Sequence, residues 1–203
     1  IFLFCVIDCE RNDSVVFLTG IYGSGKSTLC DRLCSTSTIQ YIRASDLIYR
    51  EKHTLPPTNK RINQVNENQQ YLIQALQKLS FTQTPILLEG HSCLLNKQLA
   101  VERISPDVFQ QMNISAIILL MVDIHRAQKR LLRRDNTSYT LTELSALQEA
   151  EQVYSHHLAH LLQCPLLILE DPSSADIKRL LQFIVQSEKK LENRAKKCYS
   201  NIE

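Results

Sequence analysis

The chain has 203 residues, 44% of them hydrophobic and 22% charged, with a formal net charge of +2. That length suits one well-buried core, and the balance is that of a globular chain rather than a disordered or membrane-spanning one. The near-neutral charge gives no argument for nucleic acid or a lipid surface as partner.

In chain order, the opening IFLFCVIDC is apolar but lacks a basic flank, and it falls far short of the roughly 20 residues that cross a bilayer. The first residue is not Met, so an upstream domain or a partner protein is left open. We read residues 1–203 as a single domain with its core over about 15–185, and with 1–12 and 186–203 peripheral.

Val15 to Thr19 (VVFLT) is the first predicted strand. Directly after it, Gly20, Gly23 and Gly25, three of the chain's four glycines, fall within six positions and are followed by Lys26, Ser27 and Thr28. A strand, then G-x-x-x-x-G-K-[ST], then a helix is the pattern of a loop that wraps polyphosphate. Consecutive backbone N–H groups must approach the phosphate oxygens, so the loop needs residues without a Cβ and with access to positive φ. The helix starting near Lys26 adds its unsatisfied N-terminal N–H groups. Lys26 is placed to reach the β- and γ-phosphates, Ser27 to ligate Mg²⁺, and Thr28 to touch the α-phosphate, with Ser24 inside the same loop. The expected ligand is therefore a nucleoside triphosphate, ATP or GTP, with Mg²⁺.

Four more apolar segments read as strands: Ile39 to Arg43, Pro85 to Glu89, Ala116 to Val122 and Leu166 to Glu170. Such nearly continuous apolar runs suit buried parallel strands. Amphipathic stretches separate them, which predicts an α/β, three-layer fold of the P-loop NTPase kind, a five-stranded parallel sheet flanked by helices.

RASDLIYREK follows the second strand. In an open α/β sheet ligands bind beyond the carboxyl ends of the strands, which would bring Asp46 and Arg50 beside the γ-phosphate on one helical face. HTLPPTN, His53 to Asn59, reads as a loop, and Asn59 to Leu79 as a helix. The third strand ends in LLEGHS. Glu89 there is placed to orient metal-bound water or the acceptor, Gly90 lets backbone approach a ligand, and His91 and Ser92 follow at the same edge.

HRAQKRLLRRD gathers Arg126, Arg130, Arg133 and Arg134 on one side of a helix, with Ile124, Ala127 and Leu131 toward the core. Guanidinium forks there suit the charge that develops on a transferring phosphoryl group. The short polar loop Asp135 to Tyr139 reads as a small lid. Thr140 and Glu143 are spaced as a capping box, opening a helix with Leu141, Leu144, Leu147, Leu158 and Leu161 in its stripe. After the last strand, Ser173 or Ser174 caps a helix that buries Ile177, Leu180, Leu181 and Ile184, and the basic tail reads as its solvated end. Seven cysteines without CxxC spacing point to reduced thiols in a reducing, cytoplasmic setting. Cys30 and Cys34 read as small core residues.

The order of these parts resembles the nucleoside monophosphate kinases, most nearly the archaeal-type adenylate kinases. In those proteins the third core strand ends in an acidic residue followed by a small residue and His-Ser, as EGHS does here, and a segment like SPDVF precedes the fourth strand. The likeness runs from about Val15 to Asp171. It implies ATP as donor and a nucleoside monophosphate or similar small phosphate as acceptor. Gly20 to Thr28 would then bind the ATP phosphates, Asp46 and Arg50 the acceptor, and Glu89 to Ser92 would lie near the acceptor phosphate. Arg130 and Arg134 would act on the transferring group, and Arg126, with the loop after Asp171, would lie near the donor base.

Ser45 stands where those kinases often carry a glycine, and Arg50 comes four residues after Asp46 rather than three, so the acceptor base is left open. Two alternatives remain beside a monophosphate kinase with Lys26, Arg130, Arg134 and Asp46 as its catalytic residues. One is a kinase of a hydroxyl acceptor, a small metabolite or a polynucleotide end, with Asp46 as base. The other is a nucleotide-gated module within a larger assembly.

Overall fold

A computed structural model describes residues 14–54, 65–79, 85–135, 138–173 and 176–199. In chain order its elements are β1 (Val15–Thr19), α1 (Lys26–Cys34), β2 (Gln40–Arg43), α2 (Ala44–Glu51), α3 (Val65–Lys78), β3 (Ile86–Glu89), β4 (Cys93–Leu95), β5 (Val101–Arg103), α4 (Pro106–Gln110), β6 (Ile114–Met121), α5 (Ile124–Asp135), α6 (Leu141–Leu161), β7 (Leu166–Glu170) and α7 (Asp176–Tyr199). Five strands form one sheet in the order β2-β3-β1-β6-β7, and every neighbouring pair is parallel.

Side-chain alternation along β1 builds a core on each face of the sheet. Val15 and Phe17 enter the larger cluster with Leu88, Ile117, Leu144 and Tyr154. Val16 and Leu18 enter the other, with Leu29, Leu87, Ile118 and Leu180. This is why the central strands read as unbroken apolar runs: neither face meets water.

All five predicted strands are present, with shifted ends. β2 begins at Gln40, β3 at Ile86, and β6 runs from Ile114 to Met121 rather than from Ala116 to Val122. Helix α3 is described only from Val65; the first residues of the predicted Asn59–Leu79 helix, and most of the His53–Asn59 loop, lie outside the described residues.

The antiparallel hairpin of β4 and β5 was not expected from the sequence. Its turn is held by the Asn96 side chain, whose Oδ1 accepts from the N–H groups of Gln98 and Ala100, each at 3.0 Å. Three-residue strands are too short to show a period of two, and local polar turn chemistry sets them.

The capping box is present at the start of α6. Thr140 Oγ1 accepts from the Glu143 N–H at 3.1 Å, and Glu143 Oε2 accepts from the Thr140 N–H at 2.8 Å. Packing of α7 reaches slightly past residue 185, because Ser14 Oγ donates to Glu188 Oε1 at 2.9 Å. Cys30, Cys34, Cys93 and Cys164 are free thiols, and all but Cys34 are buried.

Candidate functional site

Strand order reverses direction at β1, with β3 on one side and β6 on the other. At such a point the loops leave in opposite directions and open a crevice at the carboxyl edge. A cleft of about 1540 Å³ lies there, lined by the loop after β1, the ends of β2 and β3, and parts of α1, α2, α3 and α5.

The loop from Gly20 to Gly25 joins β1 to α1 with positive φ at Gly20 (145°), Gly23 (74°) and Gly25 (99°). Gly20 presses on the neighbouring strand, so that a Cβ there would run into the Leu120 carbonyl. Gly25 is the N-cap residue of α1, in the left-handed region that only glycine adopts freely. Gly23, Ser24, Gly25, Lys26, Ser27 and Thr28 all line the cleft. Gly20 is set behind them and shapes the turn.

Lys26 is buried, 5% exposed, and its Nζ donates to the carbonyls of Gly20 at 2.7 Å and Ile21 at 2.9 Å. The ammonium is thus held at the head of the loop.

Parallel register brings the next groups to the same level: Leu18 pairs with Glu89, and Glu89 with Arg43. Ser27 Oγ donates to Glu89 Oε1 at 3.0 Å. Tyr41 Oη donates to Glu89 Oε2, and Arg43 Nε donates to Tyr41 Oη at 2.7 Å. Burial, with the neighbouring carboxylate second, raises the Tyr41 phenol well above its ordinary value, so it stays a proton donor to Glu89 at every physiological pH.

Two hard oxygen donors side by side, next to a polyphosphate loop, fit Mg²⁺, which takes few protein ligands and keeps waters and phosphates for the rest. Among the described residues no group of three or more His, Cys, Asp or Glu is placed to hold a metal by itself, consistent with a site that a nucleotide completes. Glu89 thus lies against Ser27 and lines the cleft.

Arg130 Nη1 reaches across from α5 to the carbonyls of Gly23 at 3.1 Å and Ser24 at 3.2 Å. Arg126 Nη1 pairs with Asp171 Oδ1 at 2.9 Å, joining the start of α5 to the loop after β7. Arg133 and Arg134 also line the cleft. Ala127 and Leu131 are fully buried on the opposite side of α5, as its spacing requires.

Several expectations are corrected. Asp46 lines the cleft, but Arg50, one turn later, is exposed and outside its lining. Ile48 and Tyr49 of the same helix line the cleft, while Leu47 is buried and Arg50 points elsewhere. His91 lines the cleft, whereas Ser92 is 0% exposed and bonded to Glu151 in the interior. Gly90 lines the cleft too, and its missing Cβ leaves room for Phe17, whose Cε2 would lie 2.8 Å from an added Cβ. The segment Asp135–Tyr139 is not a free lid at its far end: Tyr139 is buried, stacks on Tyr22 with ring centroids 5.8 Å apart, and its carbonyl accepts from Gln128 Nε2 at 2.7 Å. Residues 136 and 137 lie outside the described residues.

Sequence reasoning missed Glu151 and Tyr41, which carry no local signal, and also the buried cleft residues Asn68 and Gln69. The run NENQQ was a visible hint for the last two, since polar residues on the packed face of a helix need a reason.

Loop, sheet order and cleft define an α/β protein with a five-stranded parallel sheet and a phosphate-loop sequence at its carboxyl edge. Residues 19–148 match the AAA domain family, and the chain belongs to that family. Among solved structures, shikimate kinase from Acinetobacter baumannii in complex with shikimate superposes with a TM-score of 0.56 at 15% identity, covering 87% of this chain and 95% of that one. A gluconokinase from Sinorhizobium meliloti 1021 gives 0.46 at 12% identity, covering 95% of this chain and 99% of that one. A search of curated proteins finds no match. At these identities the structural likeness speaks for the fold. Among the described residues no helix is long and apolar enough to cross a membrane.

Proposed function

We propose that the chain is an ATP- and Mg²⁺-dependent phosphotransferase that passes the γ-phosphoryl group to a small phosphorylated acceptor, a nucleoside monophosphate. The observation that carries this reading is the charge of the cleft. The lining includes Lys26, Arg32, Arg43, Lys52, Lys97 and the four arginines of α5, against Asp46, Glu89 and Asp171 as its carboxylates among the described residues. A molecule of net charge +2 thus concentrates its cations around one crevice. Two anionic ligands suit that layout better than one.

In such a transfer Lys26 and Arg130 neutralise charge on the γ-phosphoryl oxygens, and Arg134, on the same helix, supports them. Ser27 and Glu89 hold the metal, which supplies charge neutralisation at the β- and γ-oxygens when bound. Arg126 with Asp171 borders the donor base. A phosphate acceptor is already ionised, so no general base is needed.

Asp46 supports a second reading. Its exposed carboxylate on the cleft wall is where a hydroxyl acceptor would need a base. ADP release is to be measured across nucleoside monophosphates and hydroxyl acceptors. Stimulation by a monophosphate that survives Asp46→Asn supports the first reading. A hydroxyl substrate whose turnover Asp46→Asn abolishes replaces it with the second, and no stimulation by any acceptor overturns both.

A further inference from the structure

Glu151, in the middle of α6, is 0% exposed and does not line the cleft. Its carboxylate accepts four hydrogen bonds. Thr19 Oγ1 donates to Oε2 at 2.8 Å, Ser92 Oγ donates to the same oxygen, and the main-chain N–H groups of Ser92 and Cys93 donate to Oε1 at 3.0 and 3.1 Å. His91 Nδ1 stands 3.8 Å from Oε1, and the His91 ring packs on Tyr22 with centroids 4.7 Å apart.

Burying a carboxylate costs several kcal/mol unless donors repay it. Here burial alone pushes its pKa up, while the Ser92, Thr19 and Cys93 donors and the nearby Lys26 charge push back. The net shift is upward, and Oε1 accepts both main-chain N–H groups whichever protonation state the carboxyl holds.

The partners of Glu151 are the informative part. Thr19 is the last residue of β1, immediately before Gly20, and Ser92 and Cys93 follow Glu89, Gly90 and His91 at the exit of β3. One side chain therefore ties the root of the phosphate loop to the turn that carries Glu89. Ser92 N–H also donates to Thr19 Oγ1 at 3.1 Å, closing the triangle. The Ser27–Glu89 approach of 3.0 Å depends on these two segments keeping their relative height.

We propose that Glu151 is a positioning residue for the metal–nucleotide site: it holds the exits of β1 and β3 together so that Ser27 and Glu89 meet, and it orients His91 at the cleft wall. This rests on the phosphotransferase reading only for its kinetic consequence; the structural claim concerns binding of MgATP alone.

Glu151→Gln tests it. A glutamine can keep Oε1 on the Ser92 and Cys93 N–H groups, but its NH₂ is a donor set against the Thr19 and Ser92 hydroxyls, which must then both turn to accept. ATP affinity is measured by calorimetry with Mg²⁺ and with EDTA. The expected result is a loss of about tenfold or more in the Mg²⁺-dependent gain of affinity, with metal-free ATP binding unchanged. Where a monophosphate acceptor is turned over, kcat falls while the acceptor KM stays within about twofold.

A residue that merely supports the fold would lower the melting temperature and leave the ratio of the two affinities unchanged. If Glu151→Gln does not fold, Ser92→Ala removes one donor only and is expected to shift the same ratio in the same direction. An unchanged ratio in the folded variant overturns the proposal. Absence of acceptor turnover in the unmodified protein would overturn the kinase reading and leave this one standing.

Discussion

Gly20 is the position at which backbone physics and nucleotide binding can be tested together. Its φ of 145° lies where an L-residue pays about 1–2 kcal/mol. Its missing Cβ faces the Leu120 carbonyl, a main-chain group fixed in β6 that cannot rotate away. Forcing an atom into such a place costs about 1–3 kcal/mol more.

Gly20→Ala is therefore expected to destabilise the protein by about 2–5 kcal/mol. At roughly 2–4 °C per kcal/mol for a chain of this size, the melting temperature falls by about 10 °C. Gly25 separates the two causes. Its φ is 99°, but an added Cβ meets only the Arg130 guanidinium, at 3.3 Å, the far end of a flexible side chain. Gly25→Ala should then cost about 1–2 kcal/mol, the backbone part alone. Both variants should lose MgATP binding by calorimetry, because both re-aim the loop's N–H groups. Equal melting temperatures for the two would refute the role given to the Leu120 carbonyl.

Arg130→Lys should reduce turnover about as much as Arg130→Ala, on the order of a hundredfold or more in kcat, since an ammonium cannot span two carbonyls and a phosphoryl oxygen as a fork does; steady-state kinetics on both variants decides it. Tyr41→Phe, which removes the proton donated to Glu89, should weaken the Mg²⁺-dependent part of ATP affinity by about tenfold with little effect on melting temperature. Stability should fall as pH rises above about 9. Burial pushes the Cys93 thiol up to about 12 and raises that of Cys30 further, so between the unfolded and folded values the unfolded chain binds fewer protons and unfolding is favoured, by about 1.4 kcal/mol per pH unit per thiol. Denaturant midpoints at pH 8 and pH 10 check this, and the slope should flatten in Cys30→Ala with Cys93→Ala.

Some features are local, and these were legible without the fold. A polyphosphate loop needs glycines and a lysine at fixed offsets, because its geometry is made within about ten residues of chain. The capping box of Thr140 and Glu143 and the five apolar strands are likewise written in short-range pattern. The side of α5 that carries its arginines follows from 3.6 residues per turn.

What only the tertiary structure decided is which distant residues share a level at the sheet edge. Glu89 meets Ser27 because β1 and β3 are neighbours in register. Arg50 turns away while Arg32, Arg43, Lys52 and Lys97 face inward, and Ser92 points into the interior toward Glu151. A net charge of +2 conceals the clustering of cations, since composition carries no positions. The physical reason is that strand order and register are set by the packing of both faces of the sheet at once, and that sum is not present in any single stretch of the chain.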